Sequence, residues 1–195
     1  MSEAAIKRMM LEEFLGWDDG TDTRYELVGG FPVAMAPSLE EHGVLSNRLG
    51  ARLENGLAGR WPCRARAEAG VLHPDRADTF FIADLGVACT PYEPRRPYLQ
   101  EPLLLIEILS PSTERHDRRI KLQAYQRIAT VQEILLLASD ERYAEVYRRQ
   151  GGGWLVELVR DEGTLALATA GIEISISELY DAIDFENEAG GYPAI

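Results

Sequence analysis

The chain has 195 residues, of which 46% are hydrophobic and 27% are charged, and its formal net charge is −12. This size and composition are typical of a globular protein with a core of its own. No apolar run approaches the ~20 residues that span a bilayer, and the Glu-rich first residues lack the apolar stretch of a signal peptide. We therefore expect a cytoplasmic protein that makes no membrane contact.

The acidic charge counts against nucleic acid as a partner, because proteins that bind phosphate backbones usually present a basic surface. Three local arginine strips, at residues 60–66, 95–96 and 115–119, could still supply such a surface, although a solvated protein surface also explains them. An acidic chain can also act on DNA where a divalent metal ion neutralises the site. DNA therefore stays open as a partner.

The first third of the chain predicts a hairpin between two helices. The expected elements are a helix at residues 9–15, strands at 24–28 and 31–35, and a helix at 39–57. Gly29 and Gly30 suit the tight turn between the strands. Ser38 is the expected N-cap of the long helix. Three leucines spaced by four residues give this helix its buried stripe, and His42 projects from the same face.

The rest of the chain predicts further strands and two helices. The strands are expected at residues 80–87, 103–109, 133–138, 144–148, 154–159 and 172–176, and the helices at 117–128 and 178–183. In the first of these helices, Ile120, Ala124 and Ile128 are expected to face the core. The element order predicts an α/β (α+β) fold with a mixed sheet flanked by helices, an N-terminal hairpin and C-terminal antiparallel strands.

The domain organisation is simple, because the sequence contains no internal repeat and no linker. We predict one domain over residues 1–185 and a frayed tail at residues 186–195, whose composition is polar and rich in Gly and Pro. The two cysteines, Cys63 and Cys89, are expected to be buried free thiols. We prefer that interpretation to a disulfide or a zinc site.

One carboxylate interrupts each of two nearly continuous apolar strands: Asp84 in residues 80–87 and Glu107 in residues 103–109. An unpaired carboxylate in such a strand costs free energy unless a partner or a metal ion compensates it. If the strands pair, the two acids converge, and hard oxygen ligands of this kind suit Mg²⁺ or Mn²⁺. Glu26, at the centre of another apolar strand, could supply a third ligand.

Each of these residues also has a purely structural interpretation. Glu107 could pair with an arginine of residues 115–119, and Asp84 could cap a turn. Lys121 could be a solvated lysine paired with Asp117 at i,i+4, or its side-chain nitrogen could lie near the metal and orient or deprotonate the attacking water. His42 fits a hydrogen-bonded core histidine as well as an accessory to the site. The other two histidines, His73 and His116, receive no role.

The same residues carry a resemblance to a known family. Residues 25–35, with Pro37, Ser38 and His42, resemble the opening of the Uma family of putative restriction endonucleases. Residues 82–87 and 106–113 resemble its two central motifs, and Asp117, Lys121 and Tyr125 match its next helix. The likeness covers about residues 11–180, and the Glu-Ile-Leu-Ser-Pro-Ser-Thr string at 107–113 is its most specific part.

That family is assigned to the PD-(D/E)XK nuclease superfamily, so the resemblance implies a restriction-endonuclease-like fold and cleavage of phosphodiester bonds with divalent metal. It implies that Asp84 bridges the metal, that Glu107 is the second acid and that Glu26 completes the site near His42. The superfamily's lysine normally lies two residues after the second acid. That position is Leu109 here, so the role passes to Lys121.

Two positions depart from the family pattern. Ala83 replaces the proline that usually precedes the first aspartate, which changes backbone stiffness without removing a ligand. Gly29 stands where an acid commonly follows the first motif's valine, so one accessory carboxylate is missing. The four central residues are all present.

Two functional classes follow. The first is a metal-dependent nuclease that hydrolyses DNA, with Asp84 and Glu107 holding Mg²⁺ and Lys121 supporting the nucleophile. The second is a catalytically silent module that keeps the nuclease fold for protein association, which the net charge of −12 favours. A homodimer fits both. Hydrolysis of another phosphoester would use the same residues.

Overall fold

The computed structural model describes residues 8–181, 183 and 185, so the predicted tail at 186–195 lies outside the described residues. The elements are α1 (Leu11–Leu15), β1 (Tyr25–Val28), β2 (Phe31–Ala34), α2 (Glu40–Leu57), β3 (Arg64–Leu72), β4 (Phe80–Ala88), β5 (Pro102–Leu109), α3 (Glu114–His116), a π-helical segment (Asp117–Lys121), α4 (Leu122–Arg127), β6 (Glu133–Ala138), β7 (Tyr143–Gln150), β8 (Gly153–Arg160), β9 (Thr164–Leu167), β10 (Ile172–Ser175) and α5 (Ile176–Leu179).

Eight strands form one mixed sheet in the order β2-β1-β4-β5-β6-β7-β8, with β3 paired to β4. β5 and β6 run parallel, and the other pairs of this sheet are antiparallel. β9 and β10 form a separate two-stranded ladder. The mixed sheet, the N-terminal hairpin and the antiparallel C-terminal strands were predicted, and the structure confirms them. In the described part of the chain, none of the helices is both long and apolar enough to span a membrane.

The long helix α2 covers one face of the sheet. Its predicted stripe, Leu45, Leu49 and Leu53, is fully buried and packs with leucine and isoleucine side chains of the central strands in the main core cluster. The predicted cap is wrong, since the N-cap residue is Leu39 and no side chain caps the helix. The stripe fixes the rotation of α2 and directs His42 towards β4.

The helix predicted at residues 117–128 is interrupted at its start. A π-helical segment, Asp117–Lys121, precedes the α-helix of residues 122–127. Ile120, expected in the core, is 40% exposed, whereas Lys121 is only 5% exposed. A π-turn holds more residues than an α-turn, so the spacing of the buried positions changes and the lysine points inward. Ala124 is buried as predicted.

Two strands were missed. β3 pairs with β4 along most of its length, although no strand was predicted between residues 57 and 80. Its first half alternates arginine and alanine, and alanine is depleted in strands. The strand therefore depends on the neighbouring β4 more than on its own composition. β9 is only four residues long, and it was missed as well.

The prediction of free cysteines is wrong. Arg64 pairs with Ala88 at the end of the β3–β4 ladder, so the preceding Cys63 and the following Cys89 face each other and form a disulfide. The error follows from the missed strand, since without β3 nothing in the sequence brings these residues together.

Reduction of this disulfide should lower the free energy of unfolding by about 3 kcal/mol. The bond closes a loop between residues 26 positions apart and so restricts the conformations of the unfolded chain. Urea unfolding with and without reductant measures the difference. A Cys63→Ser/Cys89→Ser double variant should be insensitive to reductant. Titration of two free thiols in the denatured, unreduced protein would contradict the bond.

Candidate functional site

The candidate site lies where β1 and β5 separate along one edge of β4. β1 pairs with β4 at Phe80, and β5 pairs with it from Leu85 onwards, so Ile82 lies between the two ladders. The Ile82 N–H donates to Glu26 Oε1 at 2.8 Å, and the Ile82 carbonyl accepts from Lys121 Nζ at 3.0 Å. Buried backbone groups need partners, and here side chains of the site provide them.

Asp84 and Glu107 lie side by side on β4 and β5. Leu85 pairs with Ile106 in this antiparallel ladder, so Asp84, which precedes Leu85, lies beside Glu107, which follows Ile106. Asp84 Oδ2 accepts the Ile108 N–H at 2.7 Å, and Asp84 Oδ1 lies 3.0 Å from His42 Nε2. The hydrogen bond to Asp84 raises the pKa of His42 against the opposing effect of burial. His42 is thus an ion-pair or hydrogen-bond partner of Asp84.

Glu107 is almost completely buried. Its Oε1 accepts from the Tyr125 hydroxyl at 2.6 Å, and its Oε2 accepts from Lys121 Nζ at 3.2 Å. Burial raises the pKa of Glu107 well above its usual value, although the charge of Lys121 opposes the shift. In the described residues, no arginine of the 115–119 strip pairs with Glu107; Arg118 instead pairs with Glu114 and Glu145.

Lys121 lies at the centre of the buried acids. Its Nζ is 2.8 Å from Glu26 Oε1, 3.2 Å from Glu107 Oε2 and 3.4 Å from Asp117 Oδ1. Burial alone would lower the pKa of Lys121, but the three carboxylates outweigh it and raise the pKa above the usual value. The lysine therefore stays an ammonium, and the i,i+4 pair with Asp117 forms within a buried cluster.

His116 is a member of the site that the sequence did not reveal. Its Nε2 lies 3.2 Å from Glu26 Oε2. Burial alone would raise the pKa of Glu26, but this contact and the charge of Lys121 outweigh it, so the pKa of Glu26 is lowered. His116 precedes Lys121 by five residues, a spacing that a π-turn brings to one side and an α-turn does not. The inclusion of His116 could therefore have been predicted only if the π-turn had been recognised.

Replacing Tyr125 by phenylalanine should lower the free energy of unfolding by about 1–3 kcal/mol, because a buried Glu107 oxygen loses its donor. Urea unfolding measures the loss. Tyr143→Phe is the matched control: its hydroxyl also donates to a carboxylate, Glu145, but that group keeps Tyr147 and Arg118. An equal loss in both variants would contradict a special role for Tyr125.

These groups line an open cavity of about 340 Å³. Glu26, Asp84, Glu107 and Lys121 lie along it with His42, and residues 33–39 form another part of its wall. Asp84 keeps 18% of its side chain exposed, more than Glu107 or Lys121. Of these three groups, Asp84 is therefore the most accessible to a ligand that enters the cavity.

A divalent metal fits part of this donor set. Within residues 8–181, no three His, Cys, Asp or Glu side chains converge on a common metal position. The reason is visible in the geometry, since Lys121 draws Glu26, Glu107 and Asp117 towards itself. Asp84 and Glu107 nevertheless offer neighbouring carboxylate oxygens, and Mg²⁺ is often held by one or two carboxylates with water and phosphate completing its shell.

Comparisons with known proteins agree with this architecture. An uncharacterized protein of Synechocystis sp. (strain PCC 6803) is 26% identical over 184 residues, which cover 93% of this chain and 96% of that protein. The crystal structure of a putative nuclease belonging to DUF820 from Anabaena variabilis has the same fold, with a TM-score of 0.70 and 20% identity over 89% of this chain and 98% of that chain. The model of the Uma2 family, described as putative restriction endonuclease, matches residues 11–178. The chain therefore belongs to the Uma2 family of putative restriction endonucleases.

Proposed function

We propose that this protein is a metal-dependent endonuclease that hydrolyses DNA phosphodiester bonds at a site of Asp84, Glu107 and Lys121. The observation that carries the proposal is the pairing of Asp84 and Glu107 beside a buried ammonium at the floor of an open cavity. Membership of a family described as putative restriction endonucleases supports the reaction class.

In this proposal Asp84 and Glu107 hold Mg²⁺ or Mn²⁺. Such an ion, when bound, polarises the scissile phosphate and lowers the pKa of a bound water molecule. His42 keeps the Asp84 carboxylate in place through its contact with Oδ1. The buried Glu107 is fixed by the Tyr125 hydroxyl and by Lys121.

Lys121 has the role of stabilising negative charge on the attacked phosphate and of orienting the water. Its ammonium already donates to carboxylates and to the Ile82 carbonyl, so it is a poor acceptor for a proton from the water. Glu26 and His116 position this ammonium. That Glu26 acts as a third metal ligand stays a prediction, since its two oxygens contact Lys121, the Ile82 N–H and His116.

Cleavage and calorimetry test the proposal together. Purified protein should cut supercoiled plasmid or oligonucleotides only with Mg²⁺ or Mn²⁺. In calorimetry, Mn²⁺ should bind the wild type and should bind Glu107→Gln more weakly. Equal binding by the two proteins, or no metal-dependent cutting of varied DNA substrates, would remove this function.

A second candidate is a nuclease-fold module that associates with protein, as a homodimer or with another partner. The observation that favours it is the last strand of the sheet, β8, where Leu155, Val156 and Leu158 are exposed. An unpaired strand edge with apolar side chains is a template for association. Analytical ultracentrifugation of wild type and Leu158→Glu tests it. A monomer at all concentrations would contradict the homodimer.

A further inference from the structure

Two of the three arginine strips meet in a groove away from the candidate site. Arg64 and Arg66 of β3 and Arg95 and Arg96 of the loop between β4 and β5 line a groove of about 410 Å³. Tyr92 and Tyr98 line the groove as well. The sequence showed only separate strips, and the fold places four guanidinium groups on one concave surface of a chain whose net charge is −12.

The charges of this groove are largely uncompensated. Arg66 donates to the carbonyl oxygens of Arg96 and Pro97 at 3.2 Å, and Arg64 donates to the Thr90 carbonyl. Carbonyl groups fix the orientation of a guanidinium but leave its positive charge. Arg96 is paired with an acid, Glu93. Among the described residues, no carboxylate forms a salt bridge with Arg64, Arg66 or Arg95.

Aromatic rings accompany these cations. The Tyr92 side chain is 72% exposed, with the Arg64 guanidinium 5.8 Å from its ring centroid. The Arg96 guanidinium lies 5.3 Å from the Tyr98 ring centroid. Exposed rings beside arginines are how proteins bind unpaired nucleotides, because bases stack on the rings while the cations contact phosphates. A duplex would leave Tyr92 without a base to stack on.

The groove is firmly attached to the strand that carries Asp84. The Cys63–Cys89 disulfide joins the segments that bear Arg64 and Tyr92. Cys89 follows Asp84 by five positions, which is about 17 Å of extended chain at about 3.3 Å per residue. A strand held in the groove could therefore reach the site within a few nucleotides.

We propose that this groove binds a single-stranded segment of nucleic acid, with phosphates on Arg64, Arg66 and Arg95 and a base stacked on Tyr92. The inference rests on the proposed function for the nature of the substrate, and it adds where an unpaired strand is held. Binding and cleavage are separable, because the groove contains neither Asp84 nor Glu107.

The test is fluorescence anisotropy with a labelled oligonucleotide of about 15 nucleotides, in EDTA so that no cleavage occurs. Wild type should bind the single strand with a Kd in the range of about 10⁻⁴ to 10⁻⁶ M and should bind the matching blunt duplex more weakly. Tyr92→Leu should lower the affinity about tenfold with the salt dependence unchanged. Arg95→Gln should reduce the slope of log K against log salt by about 0.7.

Arg160→Gln is the control, since Arg160 lies over a tyrosine ring, Tyr143 at 4.2 Å, as Arg64 and Arg96 do, but is in β8 outside the groove. It should bind like wild type. Three results would overturn the inference. They are unchanged binding by both Tyr92→Leu and Arg95→Gln, an affinity for the duplex equal to that for the single strand, and competition by polyglutamate as strong as that by an unlabelled single strand. If the groove variants weaken binding but the protein shows no metal-dependent cleavage, the inference about the groove is upheld. Only the proposed catalysis is then removed.

Discussion

Substitution of Asp84 by asparagine should lower metal-dependent DNA cleavage by about 10²–10³-fold, the scale of losing one preorganised electrostatic group from an active site. Asparagine keeps an oxygen that can accept the Ile108 N–H, which Asp84 Oδ2 now accepts at 2.7 Å. The fold should therefore survive while the negative charge beside Glu107 is lost. Initial rates of plasmid nicking at saturating Mg²⁺ or Mn²⁺ measure the effect.

The matched control for this variant is Asp75→Asn, because Asp75 is an exposed acid that pairs with Arg127 on the surface. It should cleave like wild type. Urea unfolding of both variants shows whether a loss of rate reflects a loss of structure. Cleavage by a stable Asp84→Asn protein at the wild-type rate would contradict any role for this carboxylate in catalysis.

Replacement of Lys121 by methionine should lower the free energy of unfolding by about 3–5 kcal/mol, the effect of leaving buried charges without their partner. Three carboxylates, those of Glu26, Glu107 and Asp117, contact this ammonium, and the Ile82 carbonyl loses a donor as well. Chemical denaturation in urea measures the change.

A second variant tests the cause of that loss. The double variant Lys121→Met/Glu107→Gln also removes one of the buried charges that Lys121→Met leaves unpaired, so part of the stability should return. A simple packing defect at residue 121 would not be relieved in this way. Arg118→Met removes a more exposed cation with two acidic partners and should cost about 1 kcal/mol or less. Similar losses for Lys121→Met and Arg118→Met would contradict the buried-charge explanation.

The sequence predicted that Asp84 and Glu107 converge because the physical signal was local. A carboxylate inside a continuous apolar strand is conspicuous, and it occurred at Asp84 and again at Glu107. The leucine stripe of α2 predicted the rotation of that helix and so placed His42 near the sheet. These features depend on the two periodicities of strands and helices, which a sequence displays directly.

Other features depended on tertiary structure. His116 joins the site, and Ile120 leaves the core, only because residues 117–121 adopt a π-turn, and no side-chain pattern marks that turn. The Cys63–Cys89 disulfide and the arginine groove both follow from β3, whose Arg-Ala alternation is a weak strand signal. Once β3 pairs with β4, distant segments become neighbours.

The gap between β1 and β5 has a consequence for how this fold diverges. The Ile82 N–H and carbonyl bond with Glu26 and Lys121, and the Ile108 N–H bonds with Asp84, so these side chains complete the sheet as well as line the cavity. Natural selection for a folded protein alone would preserve them after an ancestral activity had gone. Relatives with altered activity should therefore vary first along residues 33–39, which line the same cavity and whose side chains are not among those that complete the sheet.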